Sequence, residues 1–238
     1  MLSAGALLLL FVGAAETTSV RDAKAEISAL VAHINPKGGI RWLYQSTLQD
    51  DPMWFFNFDD GTHGAELWAS DLTAEGTRLI KDLQPGPASG YPNNFAQLGQ
   101  RLYFAANDGS NGVEIWHSDG TATGTGLLVD VNVGEAGSYA SSITACGGTL
   151  FFGAEDAEHG FEMRAIDGTA ESMRLLNDIT AGPISSSISK VECRTSTAGV
   201  SLLFFSVGER DQPEVQWVSD GTPEGTKLAS ARAEHEEL

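Results

Sequence analysis

Three aspartates recur along the chain and could supply oxygen ligands to a calcium ion. Asp60, Asp108 and Asp156 are spaced 48 residues apart, each in a turn-like segment of small and polar residues. Calcium binds carboxylate and carbonyl oxygens in such loops, but the sequence contains neither an EF-hand loop nor a glycine-rich nonapeptide repeat. A calcium site at these three turns is therefore a hypothesis that rests on the supply of oxygen ligands alone.

Two histidines are further candidates for metal binding. His63 and His159 share a repeat position that Asn111 occupies in the intervening copy. Because His and Asn are both enriched in left-handed turns, a role in the turn is favoured over a role as metal ligand. The sequence contains no nucleophile elbow, zinc-protease motif or phosphate-binding loop. We therefore assign no catalytic residue and no cofactor, and we favour a protein that is not an enzyme without settling the point.

The common spacing of these residues comes from an internal repeat. The segment EIWHSDGTATGT at 114–125 has counterparts 48 residues earlier, 48 residues later and 53 residues beyond that. The counterparts are ELWASDLTAEGT at 66–77, EMRAIDGTAESM at 162–173 and VQWVSDGTPEGT at 215–226. A period of this size over most of the chain predicts a repeat architecture.

Each repeat is expected to contain four strands. In the second copy, alternating and aromatic-rich segments predict strands at 95–98, 101–106, 113–118 and 125–131. Four strands in about 40–50 residues are the unit of a β-propeller blade. The predicted fold class is therefore all-β: a β-propeller of four four-stranded blades over residues 46–230, preceded by a short helix. Four copies allow either a ring closed by one chain or a ring completed by a homodimer.

The repeated residues also have a structural interpretation. Asp119 is expected to accept a hydrogen bond from a backbone N–H two residues on, and Gly120 allows a positive φ. Glu114 and Trp116 lie on one side of a strand, so that Trp116 can pack between blades. The equivalent glutamates either accept hydrogen bonds from the next turn or form a partial ring of carboxylates. These glutamates are Glu66, Glu114 and Glu162.

The motif E-[LI]-W-x-S-D-G-T-x-x-G-T resembles that of the ELWxxDGT-repeat, hyalin-like family of secreted β-propeller proteins. The resemblance covers about residues 46–230 and includes several departures. Leu72 replaces the turn glycine in the first copy, Arg164 replaces the tryptophan in the third, and Val215 replaces the glutamate in the fourth. The resemblance implies a secreted propeller but supplies no biochemical activity.

The ends of the chain carry targeting patterns. Residues 1–15 are uncharged and contain an apolar run followed by small residues, which predicts a secretory signal peptide. The last four residues, HEEL at 235–238 in an acidic tail over 231–238, resemble an ER-retrieval signal. The predicted location is the secretory pathway, with retention in the ER lumen and secretion as alternatives.

Residues 16–45 connect the signal peptide to the repeats. Their apolar spacing predicts an amphipathic helix, which Ser19 and Asp22 begin with a capping box. A short strand is expected at 40–44, where it would join the last blade and close the ring. The two cysteines of the chain, Cys146 and Cys193, lie 47 residues apart, so they either form a disulfide between neighbouring repeats or remain buried thiols.

Charge narrows the choice of partners. The formal net charge of -18 disfavours nucleic acid and anionic membrane surfaces, and no segment has the length of a membrane-spanning helix. Three functions stay open. The first is a non-catalytic interaction or scaffold protein, which binds a protein or glycan through the blade-connecting loops at 85–91, 134–139 and 182–187. The second is a glycan-acting hydrolase or lyase with its site at the channel mouth, and the third is a calcium-dependent structural or adhesive protein.

Overall fold

A computed structural model describes residues 18–48, 52–208 and 214–229. These residues form one α-helix, a short 3₁₀ turn and four four-stranded antiparallel sheets. Each sheet contains four strands that are consecutive in the chain. The prediction of an all-β protein with four four-stranded units and a short helix is confirmed, whereas the predicted signal peptide and the acidic tail lie outside the described residues.

The bounds of the elements follow the repeat. Helix α1 covers Val20–Val31. Sheet 1 contains β1 (Arg41–Ser46), β2 (Met53–Asp59), β3 (Ala65–Ser70) and β4 (Arg78–Lys81). Sheet 2 contains β5 (Asn93–Leu98), β6 (Arg101–Asn107), β7 (Val113–Ser118) and β8 (Gly126–Val129). Sheet 3 contains β9 (Ser141–Cys146), β10 (Thr149–Asp156), β11 (Gly160–Ile166) and β12 (Arg174–Leu175). Sheet 4 contains β13 (Ser187–Thr195), β14 (Ser201–Gly208), β15 (Val215–Ser219) and β16 (Lys227–Leu228).

Apolar side chains join the sheets in chain order. The paired aromatic positions of each second strand point to opposite faces, so one ring contacts the preceding layer and the other the following layer. In sheet 2, Phe104 packs toward sheet 1 while Tyr103 packs toward sheet 3. Sheets 3 and 4 meet in the same way, with Phe151 against Phe205 in one cluster. The core is therefore a series of layers between sheets rather than one central cluster.

Helix α1 covers the remaining face of sheet 1. Ser19 caps its N-terminus, because the Ser19 hydroxyl oxygen accepts a hydrogen bond from the Asp22 backbone N–H at 3.2 Å. The helix buries Ala23, Ile27 and Val31 in a cluster with aromatic side chains of β2 and β3. Its opposite side is exposed. Helix α1, rather than sheet 4, therefore packs on this face of sheet 1, and the four sheets do not close into a ring within the described residues.

The strand predicted at 40–44 does not join the last sheet. Residues Arg41–Ser46 form β1, which pairs with β2 and is the first strand of sheet 1. The physical reason is the short connection between β1 and β2, since closing a short loop costs less conformational entropy than pairing the two ends of the chain. The face that sheet 4 would have needed for closure is also occupied by α1.

A disulfide joins the first strands of sheets 3 and 4. Cys146 on β9 and Cys193 on β13 are bonded, and 47 residues separate them in the sequence. Cys146 points from sheet 3 toward sheet 4, and Cys193 points back, so the bond crosses the apolar layer between the two sheets. Of the two alternatives left by the sequence, the structure contains the covalent link between neighbouring repeats.

Candidate functional site

The loops of the sheets lie at two ends. At one end, which we call the turn end, a turn connects the third and fourth strands of each sheet. These turns lie at 71–77, 119–125, 167–173 and 220–226. At the other, the loop end, lie the β2–β3-type hairpins and the connections between sheets. The two kinds of loop-end segment contact each other, since the backbone N–H of Tyr91 donates to Ala65 and that of Ser138 donates to Val113, both at 3.0 Å.

The turn end is held by one hydrogen-bonded arrangement. The Asp119 carboxylate accepts hydrogen bonds from the backbone N–H and the hydroxyl of Thr121, at 2.8 and 2.7 Å. The Thr121 hydroxyl oxygen accepts from the Gly124 N–H at 3.0 Å. The same contacts occur in sheets 1 and 4. As predicted for the repeated motif, these aspartates and threonines fix a turn.

Sheet 3 departs from this arrangement for a steric reason. A Cβ added at Gly124 would lie 2.1 Å from the Asp119 carboxylate, and sheet 3 carries Ser172 at the equivalent position. The Asp167 carboxylate is therefore directed elsewhere and accepts hydrogen bonds from Thr149 at 3.0 Å and from Arg174 at 2.9 and 3.0 Å. The degenerate third copy thus replaces a threonine clamp with an ion pair.

The aspartates considered for calcium lie in three separate hairpins and are occupied by their own turns. Asp60 accepts backbone hydrogen bonds from Thr62 and His63, both at 2.8 Å, and contacts the His63 imidazole at 2.7 Å. Asp108 accepts equivalent bonds from its own turn, including the Asn111 side-chain amide at 2.8 Å. His63 and Asn111 therefore perform the same turn-stabilising role.

Asp156 differs from Asp60 and Asp108 because it forms an ion pair with an arginine, Arg164. It accepts hydrogen bonds from the His159 backbone N–H at 2.7 Å and from the Arg164 guanidinium. Partial burial opposes ionisation, but the hydrogen bonds from His159 and the charge of Arg164 outweigh it and lower the pKa of Asp156 to about 2. Within the residues that the structure describes, no group of three or more His, Cys, Asp or Glu side chains could hold a metal ion.

The three repeated glutamates are fully buried and bind the connections between sheets. The Glu66 carboxylate accepts hydrogen bonds from the backbone N–H groups of Leu83 at 2.8 Å and Gly90 at 2.7 Å. Glu114 and Glu162 bind the next two connections in the same manner. Each glutamate therefore holds its own loop, as one of the two sequence-based alternatives proposed, and the three do not share a carboxylate site.

Burial gives these glutamates unusual acid–base properties. Loss of solvation raises the pKa of Glu66 to about 7, although the N–H groups of Leu83, Gly90 and Gln84 partly offset this effect. Burial also raises the pKa values of Glu114 and Glu162. The loops in which the sequence predicted partner contacts are thus anchored by buried carboxylates, of which Glu66 changes its charge near neutral pH.

Exposed aromatic side chains lie in or just before the first strands of three sheets. Tyr91 and Tyr139 end the loops 85–91 and 134–139, in which the sequence predicted partner contacts, whereas Trp42 was missed by sequence analysis. Trp42 is 55% exposed, Tyr91 59% and Tyr139 62%. All three have left-handed backbones, with φ of 53°, 48° and 52°, a conformation uncommon in residues other than glycine. The repeat spacing of Tyr91 and Tyr139, 48 residues, was the signal that could have identified them.

The left-handed residue of β1 recurs in every first strand. The equivalents of Trp42 are Asn94, Ser142 and Lys190, with φ of 54°, 54° and 50°. Each lies where the pairing between the first and second strands is irregular, which indicates a β-bulge. Four different side chains are therefore presented on one repeated backbone conformation, and strained residues of this kind are common at functional sites.

A pocket of about 220 Å³ lies at the loop end of sheet 1. It is bounded by the segment before β1, the inner strands of sheet 1 and the connection to sheet 2. Its lining includes Lys37, Arg41, Asn57, Ala65, Ser89 and Tyr91. The pocket thus combines cations, hydrogen-bonding groups and one of the exposed aromatic rings.

Comparison with known proteins bears on the fold alone. No family model matches the chain, and no curated protein matches it. A structure from a study of two prolyl endopeptidases is 15% identical, with a TM-score of 0.50, over 79% of this chain and 26% of that chain. Puromycin hydrolase is 15% identical, with a TM-score of 0.42, over 75% of this chain and 28% of that chain. An endo-arabinase from Bacteroides thetaiotaomicron is 16% identical, with a TM-score of 0.42, over 80% of this chain and 79% of that chain.

The chain spans little more than a quarter of the length of the puromycin hydrolase and prolyl endopeptidase chains. At these identities, the activities named for those proteins are not transferred to this chain. Among the described residues, no helix is long and apolar enough to cross a membrane.

Proposed function

We propose that this chain is a non-catalytic binding module, which captures a protein or glycan partner at the loop end of its sheets. The observation that carries the proposal is the set of exposed aromatic side chains on a fixed backbone. Trp42, Tyr91 and Tyr139 are each more than half exposed, and aromatic residues dominate the energetics of binding surfaces. None of these three side chains belongs to the apolar clusters between the sheets. Binding therefore explains their presence better than stability does.

The anchoring of the loops supports the same proposal. Tyr91 follows Gly90, whose N–H is held by Glu66 at 2.7 Å, and Tyr139 follows Ser138, whose hydroxyl is held by Glu114 at 2.7 Å. A side chain on an ordered loop loses less conformational entropy on binding than one on a mobile loop. The buried glutamates therefore preorganise the aromatic residues for a ligand.

We further propose that the stack of sheets is of the β-propeller type and belongs to the secretory pathway, either secreted or in the ER lumen. Support for the first statement comes from four consecutive four-stranded sheets whose first strands adjoin one another. Support for the second comes from the disulfide between Cys146 and Cys193, since such bonds persist in oxidising compartments. The glycan-cleaving and calcium-dependent alternatives stay predictions.

The binding proposal can be tested with arrays of glycans and peptides. The double variant Tyr91→Ala, Tyr139→Ala is compared with the wild-type chain and with Val200→Ala, which removes an exposed apolar side chain at the turn end. We expect the wild-type chain and Val200→Ala to bind the same ligand and the tyrosine variant to lose at least about tenfold in affinity. Absence of any ligand, or equal binding by all three chains, would contradict the proposal.

A further inference from the structure

We infer that the pocket at the loop end of sheet 1 binds one hydroxyl-rich sugar ring that carries a single carboxylate, as in a uronic acid. The inference deepens the proposed function and rests on it, because it names the ligand class of the binding face.

The pocket exists because sheet 1 has smaller side chains than its neighbours at one position. Ala65, Val113 and Phe161 begin or nearly begin the third strand and pair with equivalent residues of the second strand, Asp59, Asn107 and Glu155. In sheet 3 the Phe161 ring covers Gly153, where an added Cβ would lie 2.5 Å from the ring. In sheet 2, Val113 packs into the apolar layer between sheets 2 and 3. Only the alanine of sheet 1 leaves this space open among the three.

The lining of the open site is also more polar than its equivalents. Asn57 stands where sheets 2 and 3 have Ala105 and Gly153, and it pairs with Arg41 of β1. The residue equivalent to Arg41 in sheet 2 is Asn93, which pairs with Ala105. At this register sheet 1 therefore has an amide on the second strand and a guanidinium on the first, where sheet 2 has the methyl group of Ala105 and the amide of Asn93.

Two cations line this pocket in a strongly acidic protein. Lys37 and Arg41 both face it, and no ion pair joins either side chain to another described residue. The carboxylate of Asp59 also lines the pocket, but it accepts a hydrogen bond from the Gly61 N–H at 2.7 Å. With a formal net charge of -18, a local excess of positive charge attracts one carboxylate, whereas Asp59 repels a second.

The remaining groups suit hydroxyls and the flat face of a sugar. The Ser89 oxygen accepts a hydrogen bond from the Ala65 N–H at 2.9 Å, so its own proton can be donated to a ligand. Asn57 and Asp59 add acceptors, which a ligand with hydroxyls can use and a simple carboxylate cannot. Tyr91, which is 59% exposed, is one of the residues that line the pocket. At about 220 Å³, the space is smaller than the roughly 300 Å³ minimum of sites for drug-sized ligands, which fits a single ring.

The experiment is a calorimetric titration of the wild-type chain with four probes. The probes are glucuronate, galacturonate, glucose and a short peptide of aspartate and glutamate. We expect a uronate to bind at least about tenfold more tightly than glucose or the peptide, since a charge-assisted hydrogen bond contributes about this factor or more. Arg41→Gln should remove this preference, while Arg78→Gln, a change of an exposed cation at the turn end of the same sheet, should retain it.

The location of the site is tested by copying the other repeats. The double variant Ala65→Phe, Asn57→Gly introduces the residue types that sheet 3 has at these two positions. The single variant Ala65→Val introduces the valine of sheet 2, which is smaller than phenylalanine. We expect binding to weaken with Ala65→Val and to be lost with the double variant, each in chains that keep the wild-type circular dichroism spectrum. If the double variant does not fold, Ala65→Val together with Arg41→Gln decides the location.

The outcomes separate this inference from the proposed function. Equal affinity for glucose and the uronates, tighter binding of the peptide, or unchanged binding by the pocket-filling variants would overturn the inference. The general binding function would survive any of these results, provided that the tyrosine-dependent ligand of the array is found. Loss of that array signal as well would overturn both.

Discussion

The turn end and the loop end of the same sheets differ in what the repeat keeps constant. At the turn end, Asp119 and Thr121 make contacts that recur in sheets 1 and 4. At the loop end, the buried glutamate recurs in sheets 1 to 3, whereas the exposed residue at the Trp42 position changes from sheet to sheet. The comparison teaches that hydrogen bonds within the turns and to the buried glutamates maintain the repeat, whereas exposed positions at the loop end are available for recognition.

The largest expected effect comes from a buried tryptophan of the repeat. Trp116 is 5% exposed and packs between sheets 1 and 2. Trp116→Ala should lower the free energy of unfolding by about 3–5 kcal/mol, because it leaves a cavity in this layer. Trp42→Ala, at the exposed loop-end position, should change stability by no more than about 0.5 kcal/mol. Urea denaturation measures both, and equal effects would remove the distinction between buried and exposed repeat positions.

The disulfide between sheets 3 and 4 is expected to have the next largest effect. Replacing Cys146 and Cys193 together by serine should cost about 2–4 kcal/mol, since the bond restricts a 47-residue segment of the unfolded chain. Thermal unfolding of the double variant, compared with the oxidised and the reduced wild-type chain, measures this contribution. If the reduced wild-type chain and the variant unfold at the temperature of the oxidised chain, the bond does not stabilise the layer between these sheets.

The glutamates of the loop end predict an unusual dependence of stability on pH. The pKa of Glu66 is about 7 in the folded chain and 4.5 as an ordinary carboxyl. Between these values the folded state binds more protons than the unfolded state, so stability falls as pH rises from about 4.5 to 7. For Glu66 the pKa shift corresponds to a decrease of about 3 kcal/mol in the free energy of unfolding. The pKa values of Glu114 and Glu162 are shifted in the same direction.

The matched variant for this prediction is Glu66→Gln, which removes the ionisable group but keeps its shape. Its unfolding free energy should vary less with pH over the same interval than that of the wild-type chain. Asp71→Asn at the turn end should leave the pH dependence of stability in this interval unchanged, because hydrogen bonds from Thr73 lower the pKa of Asp71 from its ordinary value. A stability that rises between pH 4.5 and 7 in the wild-type chain would contradict the assignment.

The smallest expected effect is a gain in stability at the turn end. Leu72 has a φ of 71°, whereas the equivalent residues of the other sheets, Gly120, Gly168 and Gly221, have φ of 89°, 90° and 95°. Leu72→Gly should therefore stabilise the chain by about 0.5–1 kcal/mol, since relief of the left-handed strain exceeds the added entropy of the unfolded chain. Gly120→Leu should have the opposite sign, and destabilisation by Leu72→Gly would show that packing of Leu72 outweighs its strain.

Local patterns in the sequence were sufficient to predict much of the fold. The strand predicted at 113–118 matches β7, and the predicted turn role of Asp119 appears in its hydrogen bonds to Thr121. These features depend on alternation and on turn residues that are close in sequence. The pairing of Arg41–Ser46 with β2 instead of the last sheet was predicted wrongly, because periodicity shows that a strand exists without showing its partner.

The candidate site was harder to predict for two physical reasons. The bulges at Trp42 and its equivalents carry no glycine, and of the four residues only Asn94 is of a type enriched in the left-handed region. The pocket depends on the sizes of Ala65, Val113 and Phe161 relative to residues across the strand pair, which requires the register. Aligning the repeats column by column would have revealed the change in side-chain size, although not that it opens a pocket.

The most direct test of the difference between the two ends is an NMR titration of the isotopically labelled chain with glucuronate, in which the amide chemical shifts are measured. The account predicts shifts at Arg41, Ser89 and Tyr91 of the loop end, with the amides of the 119–125 turn unchanged. Shifts at the 119–125 turn, or no shift at any amide at millimolar glucuronate, would contradict the assignment of sugar recognition to the loop end.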